Sequence, residues 1–262
     1  WVIKARDAIM DPLAATSSDS YRRSYPHIIK LHMLKDFETA VFALQSAGNG
    51  TSRRECMENL LNVTWKKRLM RTQSSLRLRE PILSLHRCLV EIAGCGSLVV
   101  DCWLNVARSA RKSGNLEAGH AAIIHAKRSA AGFVEMSDID KAFILYEDAK
   151  LKWTSGQKHL ALDELENALK SFDIFPHQRD PRPERVLAQF SGEKSRTLSL
   201  VWRFFDWSYD IGEDLPAVQL ELARPWLEKF GEKHEKSQLL LARYFDKVYM
   251  WAKDIIGMKE KE

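Results

Sequence analysis

The side chains able to do chemistry in this chain are poorly spaced for it. His120 and His125 stand five residues apart with no Glu after His120, so they do not form the H-E-x-x-H pair that binds zinc on one helix face. His177-Gln178-Arg179-Asp180 has the start of a kinase catalytic loop but lacks the downstream Asn and lies in a proline-rich stretch. Ser191-Gly192-Glu193-Lys194-Ser195 carries a lysine without the glycine spacing that cradles phosphate. Gly48-Asn49-Gly50 and Gly94-Cys95-Gly96 are lone triplets in turns. The thiols of Cys88, Cys95 and Cys102 recur every seven residues. That is helix-face spacing and not C-x-x-C metal spacing, and it predicts buried, reduced cysteines. No group of residues places a nucleophile, a base and an oxyanion donor together. The expectation is a chain with no catalytic residue, no cofactor and no metal of its own.

Charge is the second feature. Residues 51–79 hold Arg53, Arg54, Lys66, Lys67, Arg68, Arg71, Arg77 and Arg79 against Glu55 and Glu58, a net charge of +6 where the whole chain has +5. Such a segment can meet nucleic acid or an acidic protein surface, or form a solvated helix face. Trp65 is alone there, without the interleaved aromatics that stack bases, so direct nucleic-acid contact is not expected.

The 262 residues, 45% hydrophobic and 29% charged, suit a globular chain, and 12 Gly with 8 Pro argue against an all-β fold. No run approaches the ~18 apolar residues of a membrane span, and no secretory signal is evident. A chain that begins at Trp1 reads as a piece of something longer. The sequons Asn49-Gly50-Thr51 and Asn62-Val63-Thr64 are read as chance matches.

Helical periodicity dominates. Val99, Trp103, Val106 and Ala110 form one stripe; Ile139, Ala142, Tyr146, Ala149 and Trp153 form another. Ser137-x-x-Asp140 predicts a capping box, and Gly114 and Gly156 predict left-handed helix ends. Pro81 is placed at a helix start. Trp103, Ala107, Ala110, Gly114, Gly119, Ile123 and Ala126 follow a tetratricopeptide-like helix–turn–helix pattern. Ala149, Gly156, Ala161, Leu165 and Ala168 repeat it. A weaker pair spans Val201–Tyr209 and Leu215–Phe230, with Pro225 expected to kink or break the second helix. A last helix covers about Lys236–Ile256. The predicted fold is all-α, a solenoid of irregular tetratricopeptide-like helix pairs over residues 1–262, with a possible sub-division at the 173–183 linker. Trp65 is predicted to share a helix face with Leu69 and Leu76 and to be buried against the following helix.

Several runs carry a family resemblance. They are Trp65-Lys66-Lys67-Arg68-Leu69, Thr72-Gln73-Ser74-Ser75 and Glu80-Pro81-Ile82-Leu83-Ser84-Leu85-His86-Arg87. They continue with Cys102-Trp103-Leu104, Ala107-Arg108, Ala110-Arg111-Lys112 and Gly114, then Glu147, Ala149-Lys150, Trp153 and Gly156. The set is similar to the FAT region of phosphatidylinositol-3-kinase-related protein kinases, in its ATR-type checkpoint form. That resemblance implies a nuclear serine/threonine kinase of DNA-damage and replication-stress signalling, using ATP and Mg in a kinase domain outside these residues. It implies that the segment clamps and restrains that kinase domain, lies among neighbouring helical repeats, and acts with an ATR-interacting regulatory subunit. The helix pattern alone also allows a stand-alone tetratricopeptide-like adaptor.

Overall fold

The computed structural model describes residues 1–47, 52–132, 136–171, 194–212, 215–231 and 235–259. Within them α1 is Val2–Ser17 and α2 is Tyr21–Ser46. α3 (Arg53–Asn59) runs through a π-helical stretch, Leu60–Trp65, into α4 (Lys66–Met70). Then follow α5 (Leu76–Ile92), α6 (Gly96–Lys112), α7 (Leu116–Ala131), α8 (Asp138–Thr154) and α9 (Lys158–Ser171). The last are α10 (Lys194–Ile211), α11 (Pro216–Gly231) and α12 (Glu235–Lys259). No strand occurs among the described residues, and no described helix is long and apolar enough to cross a membrane. The fold is all-α, built of helix pairs.

The chain forms two compact units, Trp1–Met136 and Ser137–Glu262. The 173–183 linker lies outside the described residues, as do Asn49–Thr51, His177–Asp180 and Ser191–Glu193. The helices on either side of that linker, α9 and α10, pack on each other within the second unit.

In the first unit α1 packs on α2, α2 on α5, α5 on α6 and α6 on α7. The pair α6–α7 closes on small residues: Ala107, Ala110, Gly119, Ala122 and Ala126 are all buried, so the two backbones approach closely. Gly114 ends α6 at φ +78°, with its N–H on the Arg111 carbonyl (3.1 Å) and the Asn115 N–H on that of Ala110 (3.0 Å). This is a Schellman end. Asn115 at once caps α7 by accepting from the Ala118 N–H. Gly156 repeats the arrangement at φ +90° after α8. A Cβ on Gly114 would meet nothing within 4 Å, so Gly114→Ala tests the backbone alone. It is expected to cost about 1 kcal/mol in urea unfolding.

In the second unit α8–α9 form the next pair, with Ala142, Ala149, Ala161, Leu165 and Ala168 buried. Ser137 caps α8, accepting from the Asp140 N–H (3.2 Å) as the capping box predicts, and its hydroxyl donates to the Asp140 carboxylate (2.9 Å). Trp153 stacks flat on Trp207 of α10 (4.4 Å, 3°). α11 and α12 pack together, and Tyr244 of α12 donates its hydroxyl to the Phe205 carbonyl (2.7 Å).

Three expectations are corrected. Pro81 is not at a helix start: α5 begins five residues earlier, at Leu76. Leu76 is buried and Leu78 packs against Ile82, which makes the extra turn worth forming, while Pro81 removes only the bond to the Arg77 carbonyl. Pro225 does not break α11, because the buried Ala223, Trp226 and Leu227 hold the helix together on both sides of it. The cysteines do not share a face. The Gly94 turn falls between Cys88, exposed on α5, and Cys102, buried on α6, with Cys95 buried at the N-cap. All four thiols are free, and burial pushes Cys102 up to about 12.

Candidate functional site

The motif residues converge on one place in the first unit, and an unanticipated carboxylate lies at its centre. On α2 the stripe Ile29, Met33, Asp36, Ala40 steps by four, three and four toward the core. Asp36 is 0% exposed, and an isolated carboxylate cannot stay ionised at such a position. Two partners from other helices hold it. The Arg68 guanidinium on α4 donates to Oδ1, and the His86 ring on α5 places Nε2 2.8 Å from Oδ2. An ionised carboxylate only accepts, so His86 donates from Nε2 and its Nδ1 carries no proton.

Burial, reinforced by the Arg68 charge, lowers the His86 pKa to about 3. Burial, then Arg68 and Arg71, likewise lowers the pKa of His32. An unfolded His86 would titrate near 6.5, so below that pH the unfolded state takes up a proton that the folded state refuses. Stability is therefore expected to fall as pH drops from about 6.5 toward about 3, by up to roughly 1.4 kcal/mol per pH unit for this group. Urea unfolding of the wild type and of His86→Gln across that window checks it: the variant should show a flatter pH profile.

Trp65 roofs the cluster. It is 1% exposed, stacks on His86 (4.2 Å, 9°) and donates its indole N–H to Thr39 Oγ1 (3.3 Å). Thr39 in turn donates to the Asp36 carbonyl (2.8 Å). The predicted burial of Trp65 against the following helix holds, but its predicted companions do not. Leu69 is half-buried in the neighbouring group of Tyr25, Ile29 and Ile82, and Leu76 belongs to α5 beyond a turn. Trp65 closes the π-helical stretch. Met57, Leu61 and Trp65 step by four twice, which on an α-helix drifts by about 80° across one face. The wider π turn keeps all three in the core.

The Thr72–Ser75 turn is fastened from both sides. The Gln73 N–H donates to the Tyr25 hydroxyl (2.7 Å), and Arg79 donates to Thr72 Oγ1 (3.2 Å) and to its carbonyl (2.7 Å). Glu80 and Pro81 are exposed on α5. Trp103 lies elsewhere in the unit, between the Arg87 guanidinium (4.0 Å) and the His125 ring (4.4 Å). Ala107 and Gly114 belong to the α6–α7 crossing, and Trp153 and Gly156 to the second unit.

An aspartate–histidine pair can orient a general base, but His86 is 2% exposed, Trp65 covers its face, and among the described residues no hydroxyl or thiol is hydrogen-bonded to it. The cluster ties α2, α4 and α5 together. Among the described residues no three His, Cys, Asp or Glu side chains gather as a metal site. The sequence reading missed Asp36 and the role of His86. The available signal was an acidic residue at a core position of an apolar stripe.

Comparison with known proteins fits these helix pairs. The chain matches the FAT domain family over residues 1–256. The serine/threonine-protein kinase ATR of Arabidopsis thaliana is 29% identical over an aligned length of 276 positions, an alignment that covers 95% of this chain and 9% of that protein. That of Oryza sativa subsp. indica is 33% identical over 171 residues, 64% of this chain and 6% of the relative. That of Drosophila melanogaster is 22% identical over 182 residues, 63% of this chain and 7% of the relative. The chain thus spans less than a tenth of the length of these curated relatives. No solved structure matches it. The chain belongs to the FAT domain family, as a FAT region of the ATR type.

Proposed function

We propose that this chain is the regulatory helical-repeat segment of an ATR-like serine/threonine protein kinase of the DNA-damage and replication-stress checkpoint, where it clamps and restrains the kinase domain. The observation that carries this reading is the family match along nearly the whole chain, in relatives named as ATR kinases. The parent protein would act in the nucleus, bind ATP and Mg in its kinase domain, and phosphorylate Ser or Thr followed by Gln. Its partners would be its own kinase domain, neighbouring repeats and an ATR-interacting regulatory subunit. A stack of helix pairs suits a clamp, since each pair transmits force only through its neighbours.

The test is to loosen the first unit inside the full-length kinase with Asp36→Ala and to measure basal phosphorylation of a Ser-Gln peptide. A several-fold rise in basal rate with ATP affinity retained is the expected result. An unchanged rate, with the lower melting temperature confirming that the unit has loosened, would overturn the clamp.

A further inference from the structure

The eight basic residues of 51–79 have separate fates. Arg68 is spent on Asp36 and Arg79 on Thr72. Arg53, Arg54, Lys66, Lys67, Arg71 and Arg77 are exposed and make no ion pair among the described residues. Their field is felt inside the unit: Arg71 contributes to lowering His32, and Arg53 and Arg54 act on Cys95. An uncompensated cluster of this kind raises the local concentration of anions and sets partner choice more than fold stability.

Apolar side chains are interleaved with it. Leu61 and Trp65 turn into the core, so the opposite face of the same helical run presents Val63, Lys66, Lys67 and Met70, spaced i, i+3, i+4 and i+7. Val63 is 43% exposed and Met70 71%. Methionine is a flexible apolar contact that suits binding surfaces. Within residues 53–71 the one aromatic ring is Trp65, which is covered on the inner side, so this run offers none for a base to stack on.

We propose that this face is a docking site for an acidic protein segment carrying apolar residues, a Glu/Asp-rich peptide whose leucine-like side chains cover Val63 and Met70 while its carboxylates meet Lys66, Lys67 and Arg71. Alternating acid and apolar residues complement the face in both charge and hydrophobicity. A nucleic-acid backbone would match only the charge.

The experiment titrates the full chain with a fluorescent synthetic peptide of alternating Glu and Leu, a Glu-only peptide of equal length, and oligothymidylate. The Glu–Leu peptide should bind best, more weakly as salt rises. The double variant Lys66→Glu with Lys67→Glu should weaken it about tenfold or more. Met70→Ser should weaken it roughly threefold to tenfold while leaving the Glu-only peptide unchanged. Neither site is buried, so an unchanged melting temperature should accompany each loss, and Lys66→Ala with Lys67→Ala gives a milder second variant. Tighter binding of oligothymidylate than of the Glu–Leu peptide, or indifference of the Glu–Leu peptide to Met70→Ser, overturns the proposal, as does no binding at low salt.

Discussion

Arg68→Met is expected to destabilise the first unit by about 3–5 kcal/mol, although Arg68 sits on a segment whose other cations are mostly solvated. The reason lies in its partner. Asp36 has no exposed surface and cannot turn to water when the guanidinium is removed. It keeps only His86, which burial holds neutral. One of two things must then happen. Either the carboxylate stays charged and poorly solvated, or the pair takes up a proton, on Asp36 itself or on His86, whose pKa then rises. In the second case the acid sensitivity that His86 confers on the wild type should weaken in Arg68→Met, because the folded state now binds the proton too. Adding Asp36→Leu removes the stranded charge and should recover most of the loss, since apolar replacement of a buried pair is often neutral. Urea unfolding at about pH 7 and pH 5 reads both effects. A loss below about 1 kcal/mol for Arg68→Met would mean that the pair is not sustained in solution.

That cluster also shows where sequence reasoning reaches and where it stops. The helix pairs were legible because their rule is local. Small residues at three- and four-residue steps put Ala107, Ala110, Gly119 and Ala126 at one crossing, and all four are buried. Gly114 and Gly156 were legible because positive φ strongly favours glycine. The Asp36 site is non-local: its partners lie 32 and 50 residues away, on helices whose packing order no short pattern encodes. An acidic residue in the stripe of Ile29 and Ala40 announces that a partner must exist, not which one. The π-helical stretch was hidden for another reason. Met57, Leu61 and Trp65 read as a drifting helix face until tertiary packing rewards the wider turn. The helices continue through Pro81 and Pro225 because a local penalty of about 3 kcal/mol is smaller than the burial gained by continuing them.

Trp65→Ala is the second large effect, expected at about 3–5 kcal/mol. The indole fills the space between Met57 and Leu61 on its own helical run and Leu89 and Val90 on α5, with Ala40 of α2 behind it. None of these can follow it inward. Ala40 is already at full contact, and the aliphatic neighbours are fixed by helices anchored at the Gly94 turn and at Thr72. The cavity should therefore persist rather than collapse, which puts the cost at the upper end for an aromatic truncation. A second consequence distinguishes this variant from an ordinary core deletion. Without the stacked ring His86 gains access to water, so desolvation no longer holds its pKa near 3, and the value should move toward 6.5. The imidazole proton signals of His86, followed by NMR across that range, would report the move. Trp65→Phe keeps a ring on His86 but loses the hydrogen bond to Thr39, and about 1–2 kcal/mol is expected. Should Trp65→Ala unfold at nearly the wild-type urea concentration, with His86 still untitrated above about pH 4, the tryptophan is not the roof of this cluster.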